Sequence, residues 1–107
     1  MSKIHPINQK HPNLNYFKNF TIDLCKKKGW DNASIEQVWL FLTEEFGELA
    51  GSIRRSQNHF RDDRRIKLED ELGDVFSYLF QISGMLNIDL NVMWSKNIQK
   101  VHQKIYN

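Results

Sequence analysis

The sequence predicts an all-α protein, a four-helix bundle in one domain. Apolar residues recur every three or four positions in four successive stretches, and residues typical of helix ends separate those stretches. No stretch has the strict alternation of a half-buried strand. A chain of 107 residues buries only a modest core, so we expect oligomerisation to complete the bundle. We expect a mobile leader at residues 1–12 and a single helical domain at residues 13–107.

The first helix should begin at Asn13 or Asn15 and end at the lysine run 26–28. Cations suit the negative end of the helix dipole, and Gly29 suits the left-handed position that closes a helix. We therefore interpret the lysine run as a helix end and not as a nucleic-acid patch.

The second helix is predicted to run from a capping box to about Arg55. Ser34 and Gln37 stand three residues apart, the spacing at which each side chain bonds the backbone N–H of the other residue. Its predicted core stripe is Ile35, Val38, Leu42, Phe46, Leu49 and Ile53. The neighbouring stripe is Phe41, Glu45, Glu48 and Ser52. The acidic side chains of this helix therefore flank apolar surface.

The third helix should follow a loop at residues 56–61, with Asp62 or Asp63 as its cap. Its predicted core stripe is Leu68, Leu72, Val75, Leu79, Ile82 and Leu86, and the neighbouring stripe is Glu71, Asp74 and Tyr78. We expect Asn87 to end this helix and Asp89 to cap the fourth. The apolar stripe of the fourth helix is Leu90, Trp94, Ile98, Val101 and Ile105.

Composition and charge argue against several classes of protein. A net charge of +2 is too small by itself to indicate a nucleic-acid partner. The lone Cys25 cannot form an internal disulfide, which favours a reducing compartment. No apolar run approaches the roughly 20 residues that span a bilayer, and the N-terminus has no signal-peptide pattern. We therefore expect a cytoplasmic protein with no membrane partner and without nucleic acid as its main partner.

Two acidic couplets organise the chain, Glu45 with Glu48 on the second helix and Glu71 with Asp74 on the third. Residues three apart on a helix share a side, so each couplet presents two carboxylates together. Lys67 is the only basic residue at helical spacing from either couplet, so the repelling charges need a cation from outside. Four carboxylates without histidine favour a hard ion such as Mg²⁺, Mn²⁺ or Ca²⁺, and we expect Mg²⁺, with Mn²⁺ as an alternative.

Glycines inside the same two helices predict a close helix contact. Gly47 and Gly73 lie within the couplets, and Gly51 lies one turn beyond the first couplet. Glycine inside a helix costs about 1 kcal/mol relative to alanine, so we expect another backbone to approach closely there. Such a contact would bring the two couplets face to face.

The basic stretch between the couplets, residues 54–67, is a candidate phosphate clamp. We single out Arg55 and Lys67 as substrate-binding residues, because Mg²⁺ in proteins usually joins carboxylates to substrate phosphates. Metal, clamp and water are the components that cleave a phosphoanhydride. The alternative is a non-enzymatic helical module that binds RNA or another partner through residues 54–67, with strong salt dependence and no need for the couplets.

The spacing of the couplets resembles that of a known family. Glu45-x-x-Glu48, twenty-two residues and Glu71-x-x-Asp74 resemble the motifs of the MazG-like, all-α nucleoside triphosphate pyrophosphohydrolase superfamily. Further landmarks similar to its dCTP pyrophosphatase-like branch are Gly29-Trp30, Val75-Phe-Ser-Tyr78, Ile88-Asp89-Leu90 and Ser95-Lys96. Together these landmarks indicate a MazG-like bundle covering most of the chain.

The resemblance implies Mg²⁺-dependent cleavage between the α and β phosphates of a nucleoside triphosphate, which gives a monophosphate and pyrophosphate. It implies that Glu45, Glu48, Glu71 and Asp74 are metal ligands. One of them would orient the attacking water, and Glu45 and Glu48 are the catalytic candidates. Such a reaction suits the removal of unwanted nucleotides from the cellular pool.

The resemblance also implies that Trp30 lies against the base and that Lys96 binds a phosphate. It implies a homodimer or homotetramer in which two subunits build each pocket. Lys100 stands where relatives often have asparagine, and the charged Arg55 stands near the position of an aromatic residue, so no particular base or sugar is implied. An inactive relative that binds a nucleotide without turnover is a third hypothesis, which the complete couplets disfavour.

Overall fold

The computed structural model describes residues 12–57 and 62–106, with side chains at 12–57 and 64–105. These residues contain four helices and no strand, which confirms the all-α prediction. The helices are α1 (Leu14–Lys28), α2 (Ile35–Ser56), α3 (Asp62–Met85) and α4 (Leu90–Tyr106). No bilayer-spanning helix is found among them. The expected leader, apart from its last residue, lies outside the described residues.

The predicted caps of α1 and α2 are present. Asn13 accepts a hydrogen bond from the N–H of Tyr16 at 2.9 Å, and Gly29 ends α1 with a φ of 74°. At the start of α2, the Ser34 side chain accepts from the N–H of Gln37 at 3.2 Å, and the Gln37 side chain accepts from the N–H of Ser34 at 2.9 Å. Local side-chain chemistry is therefore sufficient to determine both boundaries.

The connection between α2 and α3 differs slightly from the prediction. α2 extends to Ser56 and is followed by Gln57 in the left-handed region, at φ 50°. α3 begins at Asp62, so Asp62 and Asp63 lie in its first turn and not before it. Position 61, where the cap would stand, lies outside the described residues.

Polar contacts at the start of α4 attach it to α1. Asp89 caps α4 as predicted, accepting from the N–H of Val92 at 3.1 Å. Asn15 of α1 accepts from the N–H of Leu90 at 2.8 Å and donates to Asp89 at 2.9 Å. The hydrogen bond from Asn15, followed by that from Val92, lowers the pKa of Asp89 because both bonds favour the charged carboxylate.

α3 is the central helix of the arrangement. It packs against both α2 and α1, whereas α4 packs mainly against α1. The rings of Phe17 on α1 and Phe80 on α3 lie 6.3 Å apart. Gly84 of α3 leaves room for Ile22 of α1, since a Cβ atom at Gly84 would overlap the Ile22 side chain. This is the close helix approach that a glycine permits in this fold.

The glycines within the acidic couplets do not mark a helix contact. A Cβ atom at Gly47 or Gly73 would meet nothing within 4 Å, and both residues are exposed. The expectation of a close backbone approach there is wrong for the single chain. The reason is that Gly47, nine residues after Val38, points away from the side of α2 that buries Val38 and Leu42.

The buried apolar core of the described chain is small, consisting of Cys25, Val38, Leu42, Val75 and Leu90. Burial, followed by the charge of Asp31, raises the pKa of the Cys25 thiol, so this cysteine is a small core residue and not a reactive thiolate. Many residues of the predicted core stripes remain exposed: Ile35, Phe46, Ile53, Leu72, Leu79, Leu86, Trp94, Ile98, Val101 and Ile105. The predicted stripes are therefore only partly buried within one chain.

Candidate functional site

α2 and α3 run antiparallel, and a contact near each end fixes their register. Near the start of α2, the rings of Phe41 and Tyr78 lie 6.1 Å apart. Near its end, Arg64 donates to the carbonyl oxygen of Ser56 at 3.4 Å. The groove between the two helices, called here the α2–α3 groove, lies between these two contacts.

The acidic couplets stand level with each other in the middle of the α2–α3 groove. Four residues from the ring contact lie Glu45 on α2 and Asp74 on α3, and three residues further lie Glu48 and Glu71. Burial is the main cause that raises the pKa of Glu45, followed by the negative charges of Glu48 and Asp74 and, more weakly, of Glu71. The structure therefore brings the four predicted carboxylates into one electrostatic cluster.

Two oxygen atoms of this cluster, Glu45 Oε2 and Glu71 Oε1, are buried and have no hydrogen-bond donor among the described residues. The whole Glu71 residue is only 8% exposed. A buried carboxylate oxygen without a donor costs free energy unless a cation neutralises it. Because oxygen ligands suit Mg²⁺ and Mn²⁺, the residues present fit such an ion.

In the single chain, the carboxylates of the acidic cluster do not surround a common point. No three His, Cys, Asp or Glu side chains within the described ranges are drawn together closely enough to enclose a metal ion. The assignment of the four acids as metal ligands stays a prediction.

An aromatic cavity of about 280 Å³ opens beside the acidic cluster. Its walls include Trp30, Phe41 and Tyr78. Trp30 is 57% exposed, so it is not a core residue and can offer its ring to a ligand. Burial, followed by the charge of Glu45, raises the pKa of Tyr78, so its hydroxyl stays protonated at neutral pH and can donate a hydrogen bond. A planar heterocycle can stack in such a cavity.

Sequence reasoning did not single out Phe41 and Tyr78 as site residues. Both belong to the stripes that carry the acids, one turn beyond Glu45 and Asp74. The sequence does contain a signal for Phe41 and Tyr78, because each lies four residues from an acid of the couplets and therefore on the same side of its helix. Their mutual contact across the two helices depends on the register, which the sequence does not state.

A basic cavity of about 240 Å³ lies at the other end of the α2–α3 groove. It brings together Arg55 and Lys67, the two predicted substrate-binding residues of this region. The remaining walls are Arg64, Ser52 and Ser56. Arg64 belongs to the predicted clamp stretch but was not singled out, because only the helix register distinguishes it from its neighbours.

Lys96 is not brought to the α2–α3 groove. It is exposed on α4, which packs mainly against α1, and it lines neither the aromatic nor the basic cavity. Lys100 is exposed on the same helix. A phosphate-binding role for Lys96 stays a prediction.

Comparison with known proteins identifies a family for this chain. Residues 33–107, more than half of the chain, match the model of the MazG nucleotide pyrophosphohydrolase domain. The matched range contains both acidic couplets and the basic cavity, and it begins after Trp30. No match is found among the curated proteins. The chain belongs to the MazG nucleotide pyrophosphohydrolase family, an all-α family of hydrolases that typically depend on a divalent metal.

Proposed function

We propose that this protein is a Mg²⁺-dependent nucleoside triphosphate pyrophosphohydrolase. It consumes one water, breaks the bond between the α and β phosphates of an NTP or dNTP, and gives the monophosphate, pyrophosphate and a proton. Its role is to remove nucleotides from the cytoplasmic pool. The observation that carries the proposal is the group of four carboxylates at one level of the α2–α3 groove, between an aromatic and a basic cavity. Two of its buried oxygens find no donor in the part of the chain that the structure describes.

The four carboxylates of the acidic cluster, Glu45, Glu48, Glu71 and Asp74, would hold the metal. When bound, Mg²⁺ supplies Lewis acidity to the phosphate oxygens and lowers the pKa of a bound water. Mn²⁺ has the same preference for oxygen ligands and is the alternative ion. Glu45 and Glu48 are the candidates for accepting a proton from the attacking water, since they lie one turn apart on the same side of α2 and the charge of Glu48 acts on Glu45.

The two cavities suggest how the substrate lies along the α2–α3 groove. The base would stack on Trp30 in the aromatic cavity, and the phosphates would extend past the acidic cluster toward Arg55 and Lys67. This direction places the reacting phosphates beside the carboxylates. Because Lys96 lies away from the groove of its own chain, it would contact a phosphate from a neighbouring subunit.

We further propose that the domain at residues 13–107 functions as a homodimer or homotetramer. An apolar cavity of about 340 Å³, with Leu49, Ile53, Leu68 and Leu72 among its walls, opens between α2 and α3. Neighbouring Phe46 and Leu79 are also exposed, which makes the apolar surface contiguous along both helices. A second copy of the chain would cover this surface, as obligate oligomers do.

The direct test incubates the full chain with a panel of NTPs and dNTPs plus Mg²⁺ and measures pyrophosphate release. We expect turnover of at least one substrate, a loss of at least about hundredfold in kcat for Glu48→Gln and Asp74→Asn, and unchanged activity for the matched variants Glu36→Gln and Asp70→Asn. Glu36 and Asp70 are exposed acids on the same two helices. No turnover of any substrate, or full activity of both cluster variants, would reject the proposal. Salt-sensitive RNA binding that both cluster variants retain would instead favour the non-enzymatic module.

A further inference from the structure

One buried polar side chain of α3, the amide of Gln81, has no hydrogen-bond partner among the described residues. Gln81 is only 8% exposed. The other buried polar side chains in the described part of the chain are accounted for, since Ser52 and Ser56 are hydrogen-bonded and Glu71 belongs to the acidic cluster. A buried amide without a partner costs free energy, which is recovered when a ligand supplies a donor and an acceptor.

Gln81 lies at the end of the aromatic cavity that is further from the acidic cluster. It lines the cavity together with Tyr78, which precedes it by three residues on the same side of α3. Asp74 is seven residues from Gln81, a distance of about 10 Å along the helix. Asn32 also lines the cavity, but it is exposed, so water is available to its amide. Gln81 therefore places a buried donor and a buried acceptor at the inner end of the cavity.

The two polar side chains of α3 in this cavity serve different parts of the site. Burial is the main cause that raises the pKa of Tyr78, followed by the charges of Glu45 and Asp74, so the Tyr78 hydroxyl lies close to the acidic cluster. Gln81 follows one turn later and lies further from those charges. A ring stacked on Trp30 between these two groups has its metal-facing side at Tyr78 and its opposite side at Gln81.

We infer that Gln81 binds the hydrogen-bonding edge of the base and thereby determines which base the enzyme prefers. The inference rests on the proposed function, in which the base stacks on Trp30 and the phosphates extend past the acidic cluster. The sugar then points toward the cluster, so the base presents its opposite edge to Gln81. A carboxamide offers a donor beside an acceptor, which matches two neighbouring groups on that edge. The substrates are therefore nucleotides that keep both groups.

A purely structural role for Gln81 predicts different behaviour. Gln81 also lines a second cavity, of about 340 Å³, whose walls include Ile22 and Cys25 of α1. A glutamine that only fills space between α1 and α3 would affect all nucleotides equally when it is replaced. A glutamine that binds the base affects only those nucleotides that carry the matching groups. The difference between two nucleotides is therefore the quantity that separates the two roles.

The test compares the preferred triphosphate with an analogue whose base has hydrogen in place of the exocyclic amino or keto group on that edge. We expect the wild type to lose about ten- to hundredfold in kcat/KM on the analogue, the effect of losing a good bidentate contact. Gln81→Met keeps the length of the side chain without the amide, so its kcat/KM values for the two triphosphates should agree within about threefold. Gln99→Met, the same change at an exposed position of α4, should keep the discrimination of the wild type.

A second variant and a binding measurement keep the test independent of folding and of turnover. Gln81→Leu also removes the amide and should lose the discrimination, with a circular dichroism spectrum equal to the wild type. A wild type that does not distinguish the two triphosphates, or folded Gln81 variants that distinguish them as the wild type does, would overturn the inference. If the wild type hydrolyses no triphosphate, the proposed function fails. Calorimetric titration of the most tightly bound nucleoside monophosphate and its analogue then decides by the same comparison whether Gln81 binds the base.

Discussion

Glu45, a ligand of the proposed metal site, lies in surroundings that carry a cost in stability. Its carboxylate is half-buried, one oxygen has no donor among the described residues, and three other carboxylates act on it. Repulsion between neighbouring like charges on helices costs a few tenths of a kcal/mol for each pair. The acidic cluster therefore destabilises the metal-free fold, and a divalent cation would reverse this effect.

We expect Glu45→Gln to raise the melting temperature of the protein in EDTA by about 2–4 °C, because it removes part of this repulsion. Since the pKa of Glu45 is raised in the folded state, its charge destabilises the fold above that pKa and has no effect once the group is protonated below it. The gain should therefore be present at neutral pH and shrink as the pH falls through the pKa of Glu45. Thermal denaturation across a pH series measures it.

Thermal denaturation with added Mg²⁺ tests whether a bound cation relieves the repulsion in the acidic cluster. Mg²⁺ should raise the melting temperature of the wild type and raise that of Glu45→Gln much less. Asp70→Asn, an exposed acid of α3, should respond to Mg²⁺ as the wild type does. A variant that is less stable than the wild type in EDTA at neutral pH would contradict this account of Glu45.

Substitutions of Trp30 test whether the aromatic cavity binds the base of the nucleotide. Base stacking on an aromatic ring contributes about 1–3 kcal/mol, so Trp30→Ala should raise the KM of the preferred nucleotide about tenfold with little change in kcat. Trp30→Phe should restore most of the affinity, because it keeps a stacking surface. Steady-state kinetics measure both variants. An unchanged KM in Trp30→Ala would remove Trp30 from the site.

At the scale of elements, the sequence was sufficient for boundaries set by neighbouring residues. The capping box of α2, the Gly29 end of α1 and the Asp89 cap of α4 are all present as predicted. These features depend on side chains bonding to backbone a few residues away. The register between α2 and α3 depends on distant contacts such as Phe41 with Tyr78, which is why the aromatic cavity was not predicted as a unit.

The glycines illustrate the same limit. From the sequence we expected the close approach at Gly47, Gly51 and Gly73, because they lie in or beside the couplets, and Gly84 was not considered. Only Gly84 faces another helix in the described structure, through Ile22. Which side of a helix a glycine occupies relative to its neighbour is a property of packing and not of local sequence.

We expect Gly84→Ala to lower the free energy of unfolding by about 1–3 kcal/mol, because the added methyl group must displace Ile22 in the contact between α1 and α3. Gly47→Ala and Gly73→Ala should instead raise it by up to about 1 kcal/mol, since both helical positions have open space. Urea denaturation at a fixed protein concentration measures all three. Equal stability of Gly84→Ala and the wild type would contradict the α1–α3 packing described above.

At the scale of the whole molecule, the predicted apolar stripes are buried in one part and exposed in another. Val38, Leu42 and Val75 are buried within the chain, whereas Phe46, Ile53 and Leu72 from the same predicted stripes are exposed. Periodicity identifies an apolar helix face but does not distinguish a core from an interface, because both bury the same kind of surface. For this reason, the core stripes predicted from the sequence contain more residues than the single chain buries.

The exposed apolar residues of α2 and α3 lead to a prediction about self-association of the chain. Light scattering after gel filtration should give the wild type a mass of at least twice the 12.8 kDa of one chain. Ile53→Asp and Leu72→Asp should weaken association at least about hundredfold and give the mass of one chain, because each would bury a charge in the apolar surface. Ile66→Asp is the matched control: Ile66 is 63% exposed on α3 but nine residues before Val75, hence on the opposite side from the buried face. A wild type that elutes as a single chain, or an Ile66→Asp variant that dissociates as readily as Ile53→Asp, would show that this surface is not the interface.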